Sequence, residues 1–371
     1  MNLKKIEAVN QAMTSATSDQ IFSGASLHIS SQFQTIYNGH FGSTQYVNGR
    51  PINSQTIYDL ASLTKPLATS LAILHMQESG QISLDQKLSD FFPKKWLIQK
   101  DEITIQHLLC HNSGFPAHRP FFEQLRTLPK IDRSSELLRM ILSEPLIHPI
   151  GVKTIYSDLG FMLLHIIIEK ITGSPLNKYV EKNIYLPLGL NNLFFIDKSI
   201  EKKDNFAATE NCPWRKKTLI AEVHDDNASV LGGICGHAGL FGNLADVSRL
   251  LQILLEIYHS HPDSNSLQQV ISTPGLQSFM QVPEDAERAL GFDIPTPPNS
   301  SSGQYFSNNS VGHLGFTGTS FWMDLDRSII IVLLTNRVHP DRNNTKIRQF
   351  RPIIHDLIMR KLVGEKKTNH L

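Results

Sequence analysis

Segments with the pattern of β-strands lie near the two ends of this chain, and the pattern between them is helical. Residues 25–30 and 33–39 are short runs that alternate like strands, and residues 320–324 and 329–335 are two more. A sheet must bury a face against other elements, so strands from both ends are expected to share one sheet. The sequence therefore predicts an α+β fold, with an antiparallel sheet flanked by helices and a mostly helical insertion.

Apolar residues at three- and four-residue spacing predict the helices. The predicted helices cover residues 3–18, 62–79, 134–142, 159–171, 176–185, 244–258 and 346–361. Thr104 is a predicted N-cap that opens a further short helix through His107. No internal repeat is present, and residues 366–370 are predicted to form a polar tail.

Composition excludes several classes of function. The chain has 371 residues, 40% of them hydrophobic and 19% charged, with a net charge of +1, so nothing favours a nucleic-acid partner. No run reaches the ~18 apolar residues of a membrane span, and the first residues lack the apolar core of a signal peptide. Three widely spaced cysteines suggest buried, reduced thiols. We therefore expect a cytoplasmic protein; the oligomeric state is open, with a monomer as the expectation.

A serine and a lysine three residues apart, Ser62 and Lys65, stand at the start of an apolar helix. Nearly one helical turn separates them, so both side chains leave the same face. A serine hydroxyl needs a base to become a nucleophile, and a lysine can serve only if its pKa is lowered. A helix N-terminus beside Ser62 would favour a developing oxyanion. The same spacing recurs from Ser199 to Lys202, but in a polar stretch without an apolar helix after it.

Two later segments hold the partners that such a pair needs. Tyr156 and Asp158 precede an apolar helix, and a tyrosine beside Lys65 could carry protons to a leaving group. The stretch from Gly312 to Asp324 is a strand candidate, in which His313 is predicted to face the cleft. Gly315 would let a substrate backbone approach closely.

Metal and nucleotide sites are weaker interpretations. His224, Asp225 and His237 are residue types that bind metals, but no His-Glu-x-x-His or paired-cysteine spacing accompanies them. Hydrogen bonding or cleft lining is the favoured role for these three residues. We expect no metal and no other cofactor.

Three segments carry a resemblance to a known family: Ser62 to Lys65, Tyr156 to Asp158, and Gly312 to Asp324. In this order they resemble the serine beta-lactamase and penicillin-binding-protein superfamily, especially its class C and D-Ala-D-Ala carboxypeptidase-like branch. The resemblance runs from about Ile21 to Arg337, and residues 108–114 are similar to the Leu-Leu-x-His-x-Ser-Gly turn of that branch. It implies two lobes, an α/β lobe of residues 1–84 and 205–371 and a mostly helical lobe of residues 85–204. They would form one structural unit with Ser62 at the junction.

The resemblance also implies roles for individual residues. Ser62 would be the nucleophile, Lys65 the proton acceptor and Tyr156 the proton shuttle. His313 takes the position of the lysine in Lys-Thr-Gly, and the N–H groups of Ser62 and Phe316 would hold the oxyanion. The residues expected to bind substrate are Asp158, Gly315, Phe316, His224 and Asn112.

Two departures from the family pattern narrow the chemistry. Asp158 stands where many members have asparagine, and His313-Leu314-Gly315 replaces Lys-Thr-Gly. Both argue against efficient beta-lactamase activity more than against hydrolysis.

Residues 221–228 look like the Val-His-Asp-x-Asn-Ala segment of a branch that includes N-acetylmuramyl-peptide amidases. This resemblance adds muropeptides as a candidate substrate class.

The sequence thus predicts a serine hydrolase that forms an acyl-enzyme on an amide or peptide bond of a small cell-wall fragment. A carboxylesterase acting on small acyl esters is the second hypothesis. A third, from another class, is a catalytically silent protein that binds ligands in the same cleft.

Overall fold

The computed structural model describes residues 3–196, 205–264 and 270–364. The α-helices, in chain order, are α1 (Leu3–Ser18), α2 (Leu71–Glu78), α3 (Leu88–Phe91), α4 (Ile105–Leu109), α5 (Phe122–Leu125), α6 (Arg133–Ser143), α7 (Asp158–Thr172), α8 (Leu176–Val180), α9 (Asp226–Val230), α10 (Leu244–Tyr258), α11 (Thr273–Met280) and α12 (Ile347–Val363). The strands are β1 (Gly24–Ser31), β2 (Gln34–Gly42), β3 (Tyr58–Asp59), β4 (Leu193–Phe195), β5 (Asn211–Cys212), β6 (Lys217–Thr218), β7 (Leu240–Gly242), β8 (Ser310–Leu314), β9 (Ser320–Asp324) and β10 (Ile329–Thr335).

The main sheet joins the two ends of the chain. Its five strands are antiparallel in the order β2-β1-β10-β9-β8. The centre is β10, whose seven residues are all buried because both faces of the sheet are covered. Ile329, Ile331 and Leu333 pack with α1 and α12, whereas the alternate residues join the larger core that includes α10. The predicted α+β fold is confirmed.

Long periodic helices and the C-terminal strands have the bounds that the sequence predicts. The bounds of α1, α10, β9 and β10 are those predicted. Thr104 caps α4 as predicted, because its hydroxyl accepts the His107 N–H at 3.1 Å. Helix α11 was not predicted, although Ser272 caps it and Pro274 opens it.

The segment around Ser62 differs from the predicted helix. Ser62 lies in a 3₁₀ turn, Ala61–Leu63, followed by a wide π turn over Lys65–Ser70, before α2 begins. The predicted helical segment is therefore present, but its first turns have 3₁₀ and π geometry instead of α. A small sheet, β3-β7-β4, holds the approach to the turn.

Some predictions are not tested by this fold. The division into two lobes stays a prediction, and Ser199 to Lys202 lies outside the described residues, as does the tail at 366–370. Within the described ranges, no single helix combines the length and apolarity needed to cross a membrane. One bent pair, Asp158–Thr172 with Leu176–Tyr185, meets the test on length and composition alone. All three cysteines are buried and unpaired.

Candidate active site

Asp59 fixes the turn that carries Ser62. The Asp59 carboxylate is buried and accepts the Ala61 N–H at 2.8 Å and the His224 N–H at 2.7 Å. Ala61 has a φ of +49°, a left-handed conformation that a non-glycine residue adopts only when its surroundings fix it. The bond to Asp59 supplies that constraint, and Ser62 is thereby left partly exposed at the cleft.

Lys65 lies beneath Ser62 and uses all three of its donors. Its ammonium group donates to Ser62 Oγ at 3.2 Å, to Asp158 Oδ1 at 2.8 Å and to the His237 carbonyl oxygen at 3.2 Å. The Lys65 side chain has no exposed surface. Three acceptors, one of them a carboxylate, are the environment of a charged ammonium group rather than of a neutral amine.

The charge of Lys65 changes its predicted role. Burial by itself lowers the pKa of Lys65, but the attraction of Asp158, followed by that of Tyr156, outweighs burial and raises this pKa above its usual value. In turn Lys65 outweighs the effect of burial on Asp158 and holds the pKa of Asp158 well below its usual range. The prediction that Lys65 accepts the Ser62 proton required a lowered pKa. It is not met in this state, because the carboxylate of Asp158 stabilises the cation.

The Tyr156 hydroxyl is the remaining proton carrier near Ser62. It is buried and has no partner with good hydrogen-bond geometry among the described residues, while the Lys65 ammonium lies 4.7 Å from the centre of the Tyr156 ring. Burial raises the pKa of Tyr156, although the charge of Lys65 and hydrogen-bonding contributions from Lys65 and Ser62 oppose the rise. Tyr156 is therefore a neutral phenol at neutral pH. It can accept one proton only while it donates its own.

His313 is a neutral hydrogen-bond acceptor. Its Nδ1 lies 2.9 Å from the Leu314 carbonyl oxygen, and a carbonyl can only accept, so Nδ1 carries the hydrogen. Burial lowers the pKa of His313 to about 4. The ring is thus neutral at pH 7, and the lone pair on its buried Nε2 has no hydrogen-bond partner in the part of the chain that the structure describes. The lysine of the family's Lys-Thr-Gly pattern would place a positive charge here, and His313 does not.

Two hollows of about 300 Å³ each meet at Ser62, Tyr156 and Phe316. We call them the arginine side and the aspartate side. The charged residues that line the arginine side are Arg288, Arg337, Arg348, Arg351 and Asp293. Those that line the aspartate side include His118, Asp158, Asp225, Asp226 and Arg342.

The aspartate side is electrically compensated. Asp158 pairs with Lys65 and, at 3.3 Å, with His118. Asp225 pairs with His237 at 2.9 Å, and the positive charge of that histidine outweighs burial and lowers the pKa of Asp225 to about 2. Asp226 likewise pairs with two arginines.

The arginine side keeps an excess of positive charge. Arg288 pairs with Asp293, but Arg337, Arg348 and Arg351 have no carboxylate partner in the described part of the chain. Positive charge that no carboxylate balances attracts an anion into a cleft. These arginines could not be recognised from the sequence, because they come from separate segments and none belongs to a motif.

Gly315 and Phe316 lie at the predicted position, at the end of β8. A Cβ on Gly315 would lie 2.7 Å from the Leu60 carbonyl oxygen and would overlap the Thr319 hydroxyl. Glycine is required here by the chain itself, and its predicted role in the approach of a substrate stays a prediction. The Phe316 ring is 48% exposed, lies over the Arg337 guanidinium at 4.5 Å and stacks on His224 at 5.5 Å.

The other two predicted substrate-binding residues, His224 and Asn112, differ in position, because only His224 lines the cleft. His224 is buried, lines the aspartate side and contacts Glu210 at 3.3 Å. Asn112 is buried in a loop and does not line either hollow, and its side-chain amide makes a long contact, 3.5 Å, with the Asp285 carbonyl oxygen. Asn112 is therefore not placed where it could touch a substrate. Within the described ranges no group of three or more His, Cys, Asp or Glu residues is arranged to hold a metal ion.

A serine hydroxyl bonded to a buried lysine, below a cleft at the edge of an antiparallel sheet, is the arrangement of a serine hydrolase. The chain belongs to the Beta-lactamase family, whose sequence model matches residues 7–352. This confirms the predicted superfamily.

Named relatives and solved structures agree with this assignment. A protein of Escherichia coli (strain K12) named "Putative D-alanyl-D-alanine carboxypeptidase" is 32% identical, over 90% of this chain and 83% of its own length. A Salmonella typhi protein of the same name is 33% identical, over 82% and 75%. The octameric penicillin-binding protein homologue from Pyrococcus abyssi has a TM-score of 0.71 at 21% identity, covering 96% of this chain and 76% of that one. EstCE1, a hydrolase with promiscuous acyltransferase activity, has a TM-score of 0.74 at 20% identity, covering 96% and 98%. The likeness to these two structures concerns the fold alone.

Proposed function

We propose that this serine hydrolase forms an acyl-enzyme at Ser62 and cleaves an amide or peptide bond in cell-wall-derived peptides, next to a free carboxylate. The observation that carries the proposal is the hydrogen bond from Lys65 to Ser62 Oγ, within a buried group that also holds Asp158. It aligns the hydroxyl and surrounds it with fixed charge before a substrate arrives.

In the proposed reaction Tyr156 relays the proton. As Ser62 Oγ attacks the carbonyl carbon, its proton passes to the Tyr156 oxygen while Tyr156 gives its own proton to the leaving nitrogen. Lys65 stays charged and stabilises the negative charge that develops on both oxygens. Water then attacks the acyl-enzyme by the reverse path, and the N–H groups of Ser62 and Phe316 hold the oxyanion in both steps.

The arginine side supports a substrate that carries a carboxylate. A neutral His313 cannot bind this group by charge, whereas Arg348 is exposed, lines the cleft and has no carboxylate partner in the described chain. A charge-assisted hydrogen bond contributes about 1.5–3 kcal/mol. A D-alanyl peptide ends in such a carboxylate, and the relatives' name points to the same class.

A carboxylic ester is the second candidate substrate. The cationic state of Lys65 favours it, because a serine without a strong base attacks an ester more easily than an amide. A catalytically silent binding protein is the third possibility, and acylation tests it directly.

Intact-protein mass spectrometry after mixing with p-nitrophenyl acetate, and separately with an N-acylated D-Ala-D-Ala peptide, tests the proposal. We expect one acetyl group on Ser62 with a burst of p-nitrophenol, and release of D-alanine from the peptide. Ser62→Ala should abolish both, whereas Ser70→Ala, on the same helical segment, should retain them. Absence of an adduct on Ser62 would contradict hydrolysis, and turnover of esters alone would favour the esterase.

A peptide ending in a carboxamide tests the carboxylate. We expect Arg348→Gln to raise KM for the free-acid peptide by about 10-fold, equivalent to ~1.4 kcal/mol, with little change for the carboxamide. An equal change for both peptides would exclude charge recognition at Arg348. A cytoplasmic location also stays a proposal, for which cell fractionation is the test.

A further inference from the structure

The guanidinium group of Arg351 is bound to the peptide unit that is predicted to form half of the oxyanion hole. Arg351 lies on α12 and is only 5% exposed. Its Nη2 donates to the Gly315 carbonyl oxygen at 3.1 Å and to the Thr319 carbonyl oxygen at 2.9 Å. The Gly315 carbonyl and the Phe316 N–H belong to the same planar peptide group.

That shared peptide group has two consequences. In a trans peptide the C=O and N–H bonds point in opposite directions, so a carbonyl fixed toward Arg351 turns the Phe316 N–H to the other side. A cation on the carbonyl also polarises the amide and strengthens its N–H as a donor, since hydrogen bonds in a chain reinforce one another. Arg351 can therefore act on the oxyanion without touching it.

Neighbouring contacts hold the residues that follow this peptide. Arg337 donates from Nε to the Phe316 carbonyl oxygen at 2.8 Å. The hydroxyl groups of Thr317 and Thr319 donate to the carbonyl oxygens of Asp59 and Leu60 at 2.7 and 3.0 Å. The loop that carries the Phe316 N–H is thus tied directly to the turn that carries Ser62.

A purely structural role does not account for a charge at this place. Arg351 has no carboxylate partner in the described residues, and its buried Nε has no hydrogen-bond partner. Burial, followed by repulsion from neighbouring arginines, lowers the pKa of Arg351 to about 9. A buried unpaired cation destabilises a fold, and an apolar side chain of similar size would serve packing better.

We propose that Arg351 is a positioning residue of the oxyanion hole, which fixes the Gly315–Phe316 peptide and strengthens its N–H as a donor to the oxyanion. The inference rests on the proposed acyl-enzyme function. It goes further by assigning part of the transition-state stabilisation to a residue outside the three sequence motifs.

Three variants separate charge from packing. Arg351→Met keeps the length without charge, Arg351→Gln keeps a neutral donor, and Arg351→Lys keeps the charge. Arg360→Met, on the exposed end of the same helix, is the control for losing an arginine from α12. Circular dichroism establishes which variants fold.

The measurements are burst acylation by p-nitrophenyl acetate and the Kd of phenylboronic acid. The boron bonds to Ser62 Oγ, the hydroxyl proton leaves to solvent, and the tetrahedral adduct places a boron-bound oxygen in the hole. We expect Arg351→Met and Arg351→Gln to lower the acylation rate constant by about 10- to 100-fold. Removal of one hydrogen-bond donor from an oxyanion hole typically costs about 100- to 1,000-fold, so weakening a donor should cost no more than that. KM should change by less than about 2-fold, and the boronic acid should bind more weakly in parallel. Arg351→Lys should recover part of both losses.

Each outcome decides the matter. Acylation and boronate affinity at the parent level in Arg351→Met, or in Arg351→Gln should the first not fold, would overturn the inference. A change in KM alone would also overturn it, since ground-state binding is then affected. If the parent itself is never acylated on Ser62, the proposed function fails first and this inference with it. If the parent is acylated and the Arg351 variants react as fast as the parent, only the role of Arg351 is refuted.

Discussion

Replacing Asp158 by asparagine should move the pH dependence of the reaction, because Asp158 is the residue that keeps Lys65 charged. The asparagine side chain is nearly the same size and can still accept a hydrogen bond from the ammonium group. What disappears is the negative charge 2.8 Å from Lys65 Nζ. The pKa of Lys65 should therefore fall, since burial still disfavours the cation.

The structure sets the size of this effect. Two unit charges 2.8 Å apart attract each other by about 6 kcal/mol at an effective dielectric constant near 20. That corresponds to ~4 pH units. The Asp158 side chain is 17% exposed, which screens the pair, and the asparagine retains a dipole toward the amine. We therefore expect a fall in the Lys65 pKa on the order of 2 pH units.

The assay is kcat/KM for a p-nitrophenyl ester between pH 5 and pH 10, corrected with the Ser62→Ala variant. The proposed reaction needs a charged Lys65, and Lys65 loses its charge at lower pH in Asp158→Asn, so the alkaline fall in kcat/KM should move to lower pH. Asp226→Asn is the control, since its carboxylate lines the same hollow but pairs with Arg215 at 2.7 Å. An unchanged profile in Asp158→Asn, or a shift to higher pH, would refute the reasoning.

The same variant has a consequence for stability. The lowered pKa of Asp158 stabilises the fold above the unfolded value near 4, and that stabilisation is lost as pH falls through the folded pKa. The raised pKa of Lys65 stabilises it below about 10, until pH rises through the folded pKa. Between those limits, removing one partner of a buried pair should lower the free energy of unfolding by up to about 3–5 kcal/mol.

Three further predictions concern activity and stability. Gly315→Ala should abolish acylation while the protein stays folded, because the new Cβ would lie 2.7 Å from the Leu60 carbonyl oxygen and displace the loop; normal burst kinetics would contradict this. Burial lowers the pKa of His355 to about 4, so stability is lost as pH falls from about 6.5 toward 4. His355→Gln should therefore lose about 2–3 kcal/mol less than the parent between pH 7 and pH 4.5 in urea unfolding, and equal losses would count against it. Thr104→Ala should lower the free energy of unfolding by about 1 kcal/mol, since the His107 N–H loses its acceptor, whereas an unchanged urea midpoint would mean that water replaces the cap.

Short elements were the part of the fold that the sequence could not predict. Strands β3, β4 and β7 have two or three residues each, too few to establish a period of two. They form because Leu60 and its neighbours meet β7 across a gap of about 180 residues in the sequence. The irregular geometry of the helical turns at Ser62 was likewise not predicted, since the left-handed conformation of Ala61 depends on the carboxylate of Asp59.

Within the site, the sequence identified the reacting groups but not their charge states. Ser62, Lys65, Tyr156 and His313 were all predicted, and the structure brings them together. That Lys65 is a cation follows from Asp158, 93 residues away, and that His313 is neutral follows from its burial. A pKa depends on distance and burial, which a sequence does not contain.

By itself the sequence determined what local patterns can encode: the long helices, the C-terminal strands, the α+β class, and the serine and lysine one turn apart. Only the tertiary structure decided which charges remain unbalanced and which side chains hold the peptide between Gly315 and Phe316. Arg337 and Arg351 carry no motif, and they matter because the fold places their guanidinium groups on the carbonyl oxygens of Phe316 and Gly315. Local propensity acts over a few residues, whereas electrostatic interactions depend on proximity in space, and proximity is set by the fold as a whole.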